Sequence, residues 1–461
     1  MKYVIYGLGI SGISAAKFLS KAGNEVIVTD DNEKNIELSK EKLAGFAVKF
    51  LKADELVKEA EFDQNTVISV APGIPLYYPK DHKIVELANK TGAKIACDIE
   101  IFYRQNKQNN FIAITGTNGK STTTALTGFI FKHLGLESAV GGNIGIPAFE
   151  LPTNSSGKAN YIFETSSYQL DLMTEARFNV AALLNITPDH IDHHGSMEAY
   201  IEAKKRIFRN QAENDFALIG IDNDVTRKIY EDFSRDPNFK ARLIPVSTKK
   251  TISNGISLIG GVLTNNIDKN SWSCELKSEF LHGEHNEQNI AFAFAAAFCS
   301  GVTDQEKIVE AILKFEGLPH RCKIVGKKND VIFVNDSKAT NAESTEPALK
   351  AYENIFWILG GLAKEGGISI LKPLFSKVAK AYLIGSASDD FAKILESEKV
   401  SFEKCGDLEN AFKQAVKDIK KSSLTKKVIL LSPACASLDQ WKNFEQRGDY
   451  FCKLVDEFIK S

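Results

Sequence analysis

Short apolar runs, each too brief for a helix, recur along this 461-residue chain and alternate with amphipathic stretches of ten or more residues. That alternation predicts strands joined by crossover helices, an α/β architecture with largely parallel sheets. A first set of strands is read at Tyr3–Tyr6, Glu25–Thr29 and Thr66–Val70. A second set comprises Phe111–Ile114, Tyr161–Phe163, Val180–Ile186 and Leu218–Ile221, and a third Val331–Val334, Ile355–Leu359, Ala381–Ile384 and Val428–Leu431. The sets part near Asp98, before a short helix over 99–104, and near Leu318, where Gly317 and Pro319 interrupt the pattern. Three domains are therefore expected, 1–98, 99–318 and 319–461, with 236–280 read as short strands and loops.

Two strand ends open into glycine-rich turns. The first leads through Gly7-Leu8-Gly9-Ile10-Ser11-Gly12 into a helix, and the second strand ends in Asp30. This is the dinucleotide fingerprint of a Rossmann-like domain, and the same turn suits any diphosphate, so an NAD-type cofactor and a nucleotide-sugar both fit. Ala71-Pro72-Gly73-Ile74-Pro75 is a rigid loop at a further strand's carboxyl end, where open sheets bind ligands.

The second turn is Thr115-Gly116-Thr117-Asn118-Gly119-Lys120-Ser121, between a buried-type strand and a helix-forming segment. Small residues let amides converge on an anion, Lys120 reaches terminal phosphates, and the Ser121 hydroxyl can ligate magnesium. Ile114 stands where the usual pattern has its first glycine, so this is a variant phosphate loop beginning at Gly116. It predicts a P-loop ATPase-like middle domain using a nucleoside triphosphate.

Downstream, a Gly141–Gly145 loop precedes a strand that delivers Glu164, a residue placed either to ligate magnesium or to cap the next helix. Thr187-Pro188-Asp189-His190-Ile191-Asp192-His193-His194-Gly195 reads as a loop and lacks the His-Glu-x-x-His pattern of zinc proteases, favouring an oxygen-rich magnesium site with one histidine. Ser196 is a natural N-cap for the helix that follows. At helical spacing Met197, Tyr200, Ile201, Ile207 and Phe208 form an apolar stripe with Lys204, not Lys205, inside it. An inward lysine is either snorkelling, paired, neutralised or chemically altered. Asn286 and Asn289 lie one turn apart at the start of an alanine- and phenylalanine-rich helix, suited to bonding a base or phosphate.

Composition narrows the function classes. A formal net charge of −2 with mixed signs gives no nucleic-acid footprint. No membrane span or signal peptide is read, and seven scattered cysteines without a Cys-x-x-Cys pair fit a reducing cytoplasm. In the third, again doubly wound, domain the strand-end loops Asn335–Thr340, Gly360–Lys364 and Ser432–Asp439 carry Lys, Ser and Thr suited to a small anionic substrate.

In order along the chain, Thr115–Ser121, Glu164-Thr165-Ser166-Ser167, Asn185–His190, Gly283-Glu284-His285-Asn286, Pro319-His320-Arg321 and Asn335–Asn341 resemble the markers of the Mur ligases, ATP-dependent amide-forming enzymes of bacterial peptidoglycan synthesis. The runs Ser432–Gln440 and Asn443–Gly448 are similar to those of the branch that adds D-glutamate to UDP-N-acetylmuramoyl-L-alanine. The resemblance implies a Rossmann-like N-terminal domain, a P-loop ATPase-like centre, a Rossmann-like C-terminal domain, and a cytoplasmic monomer acting on small molecules.

It also implies roles. ATP would be held by Gly116, Thr117, Asn118, Gly119, Lys120, Ser121, Asn286, Asn289, His320, Arg321 and Asp336, with Lys120, His190 and Lys204 catalytic. Two Mg²⁺ ions would be ligated by Ser121, Glu164, His190 and Lys204, the last as a carbamylated lysine. The UDP-substrate would meet Ile10, Ser11, Asp30, Ala71, Pro72, Gly73, Asn143 and His190. D-glutamate would meet Lys338, Thr340, Lys364, Ser437, Leu438 and Phe444. The Lys364-Glu365-Gly366-Gly367 loop departs from the family pattern by its acidic residue. A sister amide ligase, a Rossmann oxidoreductase and a non-catalytic nucleotide-binding module are the rival readings.

Overall fold

The computed structural model describes residues 1–58, 62–154, 156–268, 271–363 and 366–461. The chain divides into two compact units, residues 1–277 with 288–313, and residues 278–287 with 314–461. Among the described residues no helix is long and apolar enough to cross a membrane.

The first unit holds two sheets. In the N-terminal one, β1 (Lys2–Tyr6), β2 (Glu25–Thr29), β3 (Val48–Phe50), β4 (Thr66–Val70) and β5 (Lys94–Ala96) run parallel in the order β3-β2-β1-β4-β5. Strands β1 and β4 are almost wholly buried, as covered parallel strands must be. The order reverses beside β1, so the Gly7 turn and the Ala71 loop leave adjacent carboxyl ends, and Ala71 N donates to Tyr6 O (2.9 Å). A Cβ on Gly7, whose φ is +99°, would lie 2.6 Å from Ala71 Cβ, so close approach of these loops requires glycine.

The middle sheet contains β6 (Asn110–Thr115), β7 (Ser138–Gly142), β8 (Asn160–Glu164), β9 (Val180–Leu183), β10 (Phe216–Gly220), β11 (Arg242–Ser247), β12 (Ile256–Ile259), β13 (Val262–Asn265) and β14 (Trp272–Glu275). Their order is β14-β13-β12-β11-β10-β9-β6-β8-β7, antiparallel only at the β12-β13-β14 end. Central β6 carries the phosphate loop, flanked by β8 ending in Glu164 and by β9 leading to His190. The helix Asp98–Gln105 packs between the two sheets of this unit, with Asp98 to Phe102 buried.

The second unit is built on β15 (Lys323–Lys328), β16 (Val331–Asn335), β17 (Ile355–Gly360), β18 (Val378–Ile384), β19 (Phe402–Gly406) and β20 (Lys427–Leu431), ordered β15-β16-β20-β17-β18-β19. All neighbours are parallel except β15 with β16. Insertion of β20 between β16 and β17 brings three expected loops to one edge.

Two local readings change. Gly141 and Gly142 belong to β7, where small residues let β7 lie against β8: a Cβ on Gly142 would stand 2.5 Å from Glu164 O. Residues Ile191–His194 form one helical turn inside the expected loop, closed by Gly195 in the left-handed region.

Candidate active site

The phosphate loop is folded by its own sequence and braced from outside. Gly119 adopts φ +85°, and a Cβ there would lie 2.3 Å from Asn289 Oδ1. The loop and Asn289, on the helix Glu284–Cys299, are therefore in contact, and Asn289 Oδ1 also accepts from Thr123 Oγ1 at 3.1 Å. Asn185, at the end of the β9 segment, accepts from Asn118 N (2.9 Å) and donates to Asn118 O (3.2 Å). Thr117 Oγ1 bonds Thr187 O (3.1 Å) and lies 3.1 Å from Tyr200 OH. Asn185 and Tyr200 as braces of the loop were missed by sequence reasoning. Neither residue type signals such a role without its neighbours.

Lys204 is buried at 2 % exposure, on the helix Met197–Lys205 capped by Ser196 as expected, while Lys205 lies at the surface paired with Glu202. Lys204 Nζ donates to Gly116 O (2.8 Å), and Lys120 Nζ donates to the same oxygen (2.9 Å) and to Thr117 O (2.7 Å). Two amino groups thus meet at one carbonyl. Burial first, and then Lys120, holds the Lys204 amine well below the usual lysine range. Snorkelling is thereby excluded, since the amine points inward, with its nitrogen 4.7 Å from the Tyr200 ring centre.

Glu164 does not cap the next helix. Ser166 does, in a capping box with Gln169. Glu164 Oε1 accepts from Asn143 Nδ2 at 2.8 Å, whereas the buried Oε2 has no hydrogen-bond partner among the described residues. A carboxylate oxygen out of contact with water and without a donor is stabilised by a cation. His190 lies in the left-handed region with Nδ1 3.0 Å from Tyr168 OH, and burial lowers its pKa from the ordinary value. An unprotonated imidazole is the ligand form. In chemical type, the hydroxyl of Ser121, the carboxylate of Glu164 and the imidazole of His190 are donors that suit magnesium.

In the N-terminal turn Asp30 Oδ2 accepts from Leu8 N (2.7 Å) and Oδ1 from Asn32 N (2.9 Å), so this carboxylate shapes the turn itself. Ile10 is 78 % exposed at the first helical position beside Ser11, and Ala71, Pro72 and Gly73 line the adjoining edge.

In the second unit Asn286 is buried, with Nδ2 donating to His282 O (2.8 Å). His320 is packed against Gly448, its Nδ1 3.2 Å from Asn335 Nδ2, and Arg321 follows it. Asp336 accepts from Ser432 Oγ (2.7 Å) and Cys322 N (3.0 Å), and burial holds its carboxyl up to about 7. Lys338 Nζ lies 5.1 Å from the Phe444 ring centre, Thr340 is half-buried, Ser437 is buried and Leu438 exposed, all on the loops after β16 and β20 or the helix Phe444–Lys460. Lys364 lies outside the described residues. Arg447 is the unforeseen member: fully buried, it donates to Ser337 Oγ (3.0 Å), Ser337 O (2.8 Å) and Cys435 O (3.1 Å), tying these loops together.

Residues 1–96 match the N-terminal domain of MurD-like Mur ligases, 114–297 the Mur ligase middle domain and 320–435 the Mur ligase glutamate ligase domain. The UDP-N-acetylmuramoylalanine–D-glutamate ligase of Rickettsia bellii is 40% identical over 98% of this chain and 96% of its own length. That of Rhizobium meliloti is 41% identical over 98% and 95%. The chain belongs to the Mur ligase family. Mur ligases are ATP-dependent and generally need Mg²⁺, and the oxidoreductase reading of the Gly7 turn falls with this assignment. The Mur ligase fold is matched as well by the solved UDP-N-acetylmuramate-alanine ligase MurC of Thermotoga maritima, with a TM-score of 0.58 at 16% identity over 100% of this chain and 99% of that one. A pseudomurein peptide ligase type C from Methanothermus fervidus gives 0.55 at 18% identity over 99% of each.

Proposed function

We propose that this Mur ligase joins D-glutamate to UDP-N-acetylmuramoyl-L-alanine in the cytoplasm, converting ATP to ADP and phosphate. The observation that carries the acceptor is the full-length similarity to ligases of that name. Glu164, His190, Lys120 and Lys204 around one phosphate loop support the chemistry.

A carboxylate does not acylate an amine in water. The L-alanine carboxylate oxygen therefore attacks the γ-phosphorus of ATP, the bond to the bridging oxygen of ADP breaks, and an acyl phosphate results. Lys120 and the amides of Gly116–Ser121 offset the charge of the meeting anions. The neutral D-glutamate amine then adds to the acyl carbon, phosphate leaves, and the amine's proton is released. Asn286, Asn289, His320, Arg321 and Asp336 are the proposed nucleotide contacts. Ile10, Ser11, Asp30, Ala71, Pro72, Gly73 and Asn143 are proposed for the UDP-substrate, and Lys338, Thr340, Lys364, Ser437, Leu438 and Phe444 for D-glutamate.

Two magnesium ions, held by Ser121, Glu164, His190 and Lys204, would supply charge neutralisation at the phosphates when bound. For Lys204 this requires its amine to add to carbon dioxide, forming an N–C bond and releasing one proton. The low basicity of this buried amine favours that step, and the resulting anion relieves the crowding with Lys120 at Gly116 O. Phosphate release from ATP with magnesium and UDP-N-acetylmuramoyl-L-alanine, measured with D- and with L-glutamate, tests the whole reading. Release with the D isomer alone is expected. Release only with another amino acid would overturn the acceptor, and silence with all would overturn the ligase mechanism.

A further inference from the structure

Glu164 is separate in sequence from the consecutive segments that bear His190 and Lys204, and the buried imidazole of His194 touches or links all three. His194, whose side chain is 3 % exposed, ends the helical turn Ile191–His194 that follows His190. Its Nε2 lies 2.9 Å from Ser167 Oγ, three residues beyond Glu164. Its Nδ1 lies 3.4 Å from Asp171 Oδ2, at the end of the same short helix. Asp171 in turn accepts from Arg206 Nη1 through its carbonyl (2.7 Å), with its carboxylate 3.5 Å away, and Arg206 directly follows the helix that carries Lys204. Both ring nitrogens of His194 are thus spent inside the protein. With Nδ1 carrying its hydrogen toward the carboxylate, Nε2 accepts the Ser167 hydroxyl. The ring also lies between aromatic faces, its centre 5.6 Å from that of Tyr168 and 5.4 Å from that of Tyr200. Tyr168 meets His190 Nδ1, and Tyr200 meets Thr117 of the phosphate loop.

We propose that His194 is a positioning residue of this site: through Ser167 and Asp171 it holds the carriers of Glu164, His190 and Lys204 in register, without itself touching metal or substrate. The inference rests on the reading of those three residues as the metal site. Outer-shell partners of this kind tune metal affinity because ligands that are free to shift lose their shared geometry.

The test uses the full chain with Mn²⁺ and a non-hydrolysable ATP analogue, following free Mn²⁺ by electron paramagnetic resonance. His194→Phe, which keeps the ring volume and loses both polar contacts, should weaken Mn²⁺ binding by about tenfold or more. Ser167→Ala should weaken it less, and adding it to His194→Phe should change nothing further, because the shared bond is already gone. His194→Gln, able to reach Ser167, should restore part of the loss. The KM for D-glutamate should stay within about twofold in all of them, which general destabilisation would not arrange. Unchanged Mn²⁺ binding in His194→Phe and Ser167→Ala, while Glu164→Gln abolishes it, overturns the role of His194 alone. Unchanged binding in Glu164→Gln overturns the metal-site reading and this inference with it. If His194→Phe does not fold, Ser167→Ala and His194→Gln decide the matter by the same readout.

Discussion

The turns at Gly7–Gly12 and Thr115–Ser121 share a plan, in which a buried central strand opens through glycines into a helix at the point where its sheet reverses order. They differ in charge. The first turn carries no lysine and is shaped by its own carboxylate, Asp30, bonded to Leu8 N. In the second, Lys120 and Lys204 converge on Gly116 O, and Glu164 ends the strand next to the loop's own, one of its oxygens lacking a donor among the described residues. On the proposed assignment, backbone geometry suffices at the first turn to hold the phosphate of a UDP-substrate, which stays in place. Transferring a phosphoryl group needs mobile or excess charge close to the loop. A fingerprint of glycines therefore reports on the first task only.

The strongest way to break this contrast is to remove the charge from the second turn. Lys120→Ala should lower the ligation rate by roughly a thousandfold while leaving the affinity for the UDP-substrate, read by calorimetry, unchanged. Equal loss of both would mean the turns are not separate in function.

Glycine substitutions should sort by turn. Gly119→Ala meets a left-handed φ and the Asn289 side chain, so ATP affinity should fall by roughly tenfold to a hundredfold for about 1–3 kcal/mol of strain. Gly7→Ala should do the same to UDP-substrate affinity and spare ATP. A crossed pattern would refute the assignment.

Two acids sharpen the comparison further. Asp336, buried after β16, has its folded pKa raised to about 7, so between about pH 4 and 7 the folded state binds more protons than the unfolded one, and stability falls as pH rises through that window. Asp336→Asn should flatten that fall in melting curves run at pH 5 and pH 8. Asp30→Asn, which turns one of the two acceptor oxygens facing Leu8 N and Asn32 N into a donor, should raise the KM for the UDP-substrate about threefold to tenfold.

The smallest expected effect is on stability at the second turn. Lys204→Met should abolish activity yet raise the melting temperature by a few degrees, because a desolvated amine is replaced by an apolar group of similar length. A lower melting temperature would argue that the amine's bond to Gly116 O outweighs its burial.

Much of this was written locally. The buried strands β1, β6 and β9 hold continuous apolar runs and β4 one broken by Ser69, and both glycine turns, the Ser196 cap and the inward face of Lys204 follow from residue type and helical spacing. The edge strands were not legible. Val48-Lys49-Phe50, Lys94-Ile95-Ala96 and Phe402–Gly406 each have a neighbour on one side only and stay half-exposed, so no apolar run marks them. Arg447 was read only as part of the Asn443–Gly448 run, since an arginine among charged residues on a helix reads as solvent-facing until two loops are seen to close on it.

The sequence by itself determined which residues can carry charge, donate or turn, because those properties belong to single side chains and to spacings within one element. Only the tertiary structure decided that Lys120 and Lys204 share one carbonyl, that Glu164 Oε2 is left without a donor among the described residues, and that His194 joins the Glu164 segment to its own. Most of those relations join elements far apart in the chain. They arise from sheet order, which no local pattern records.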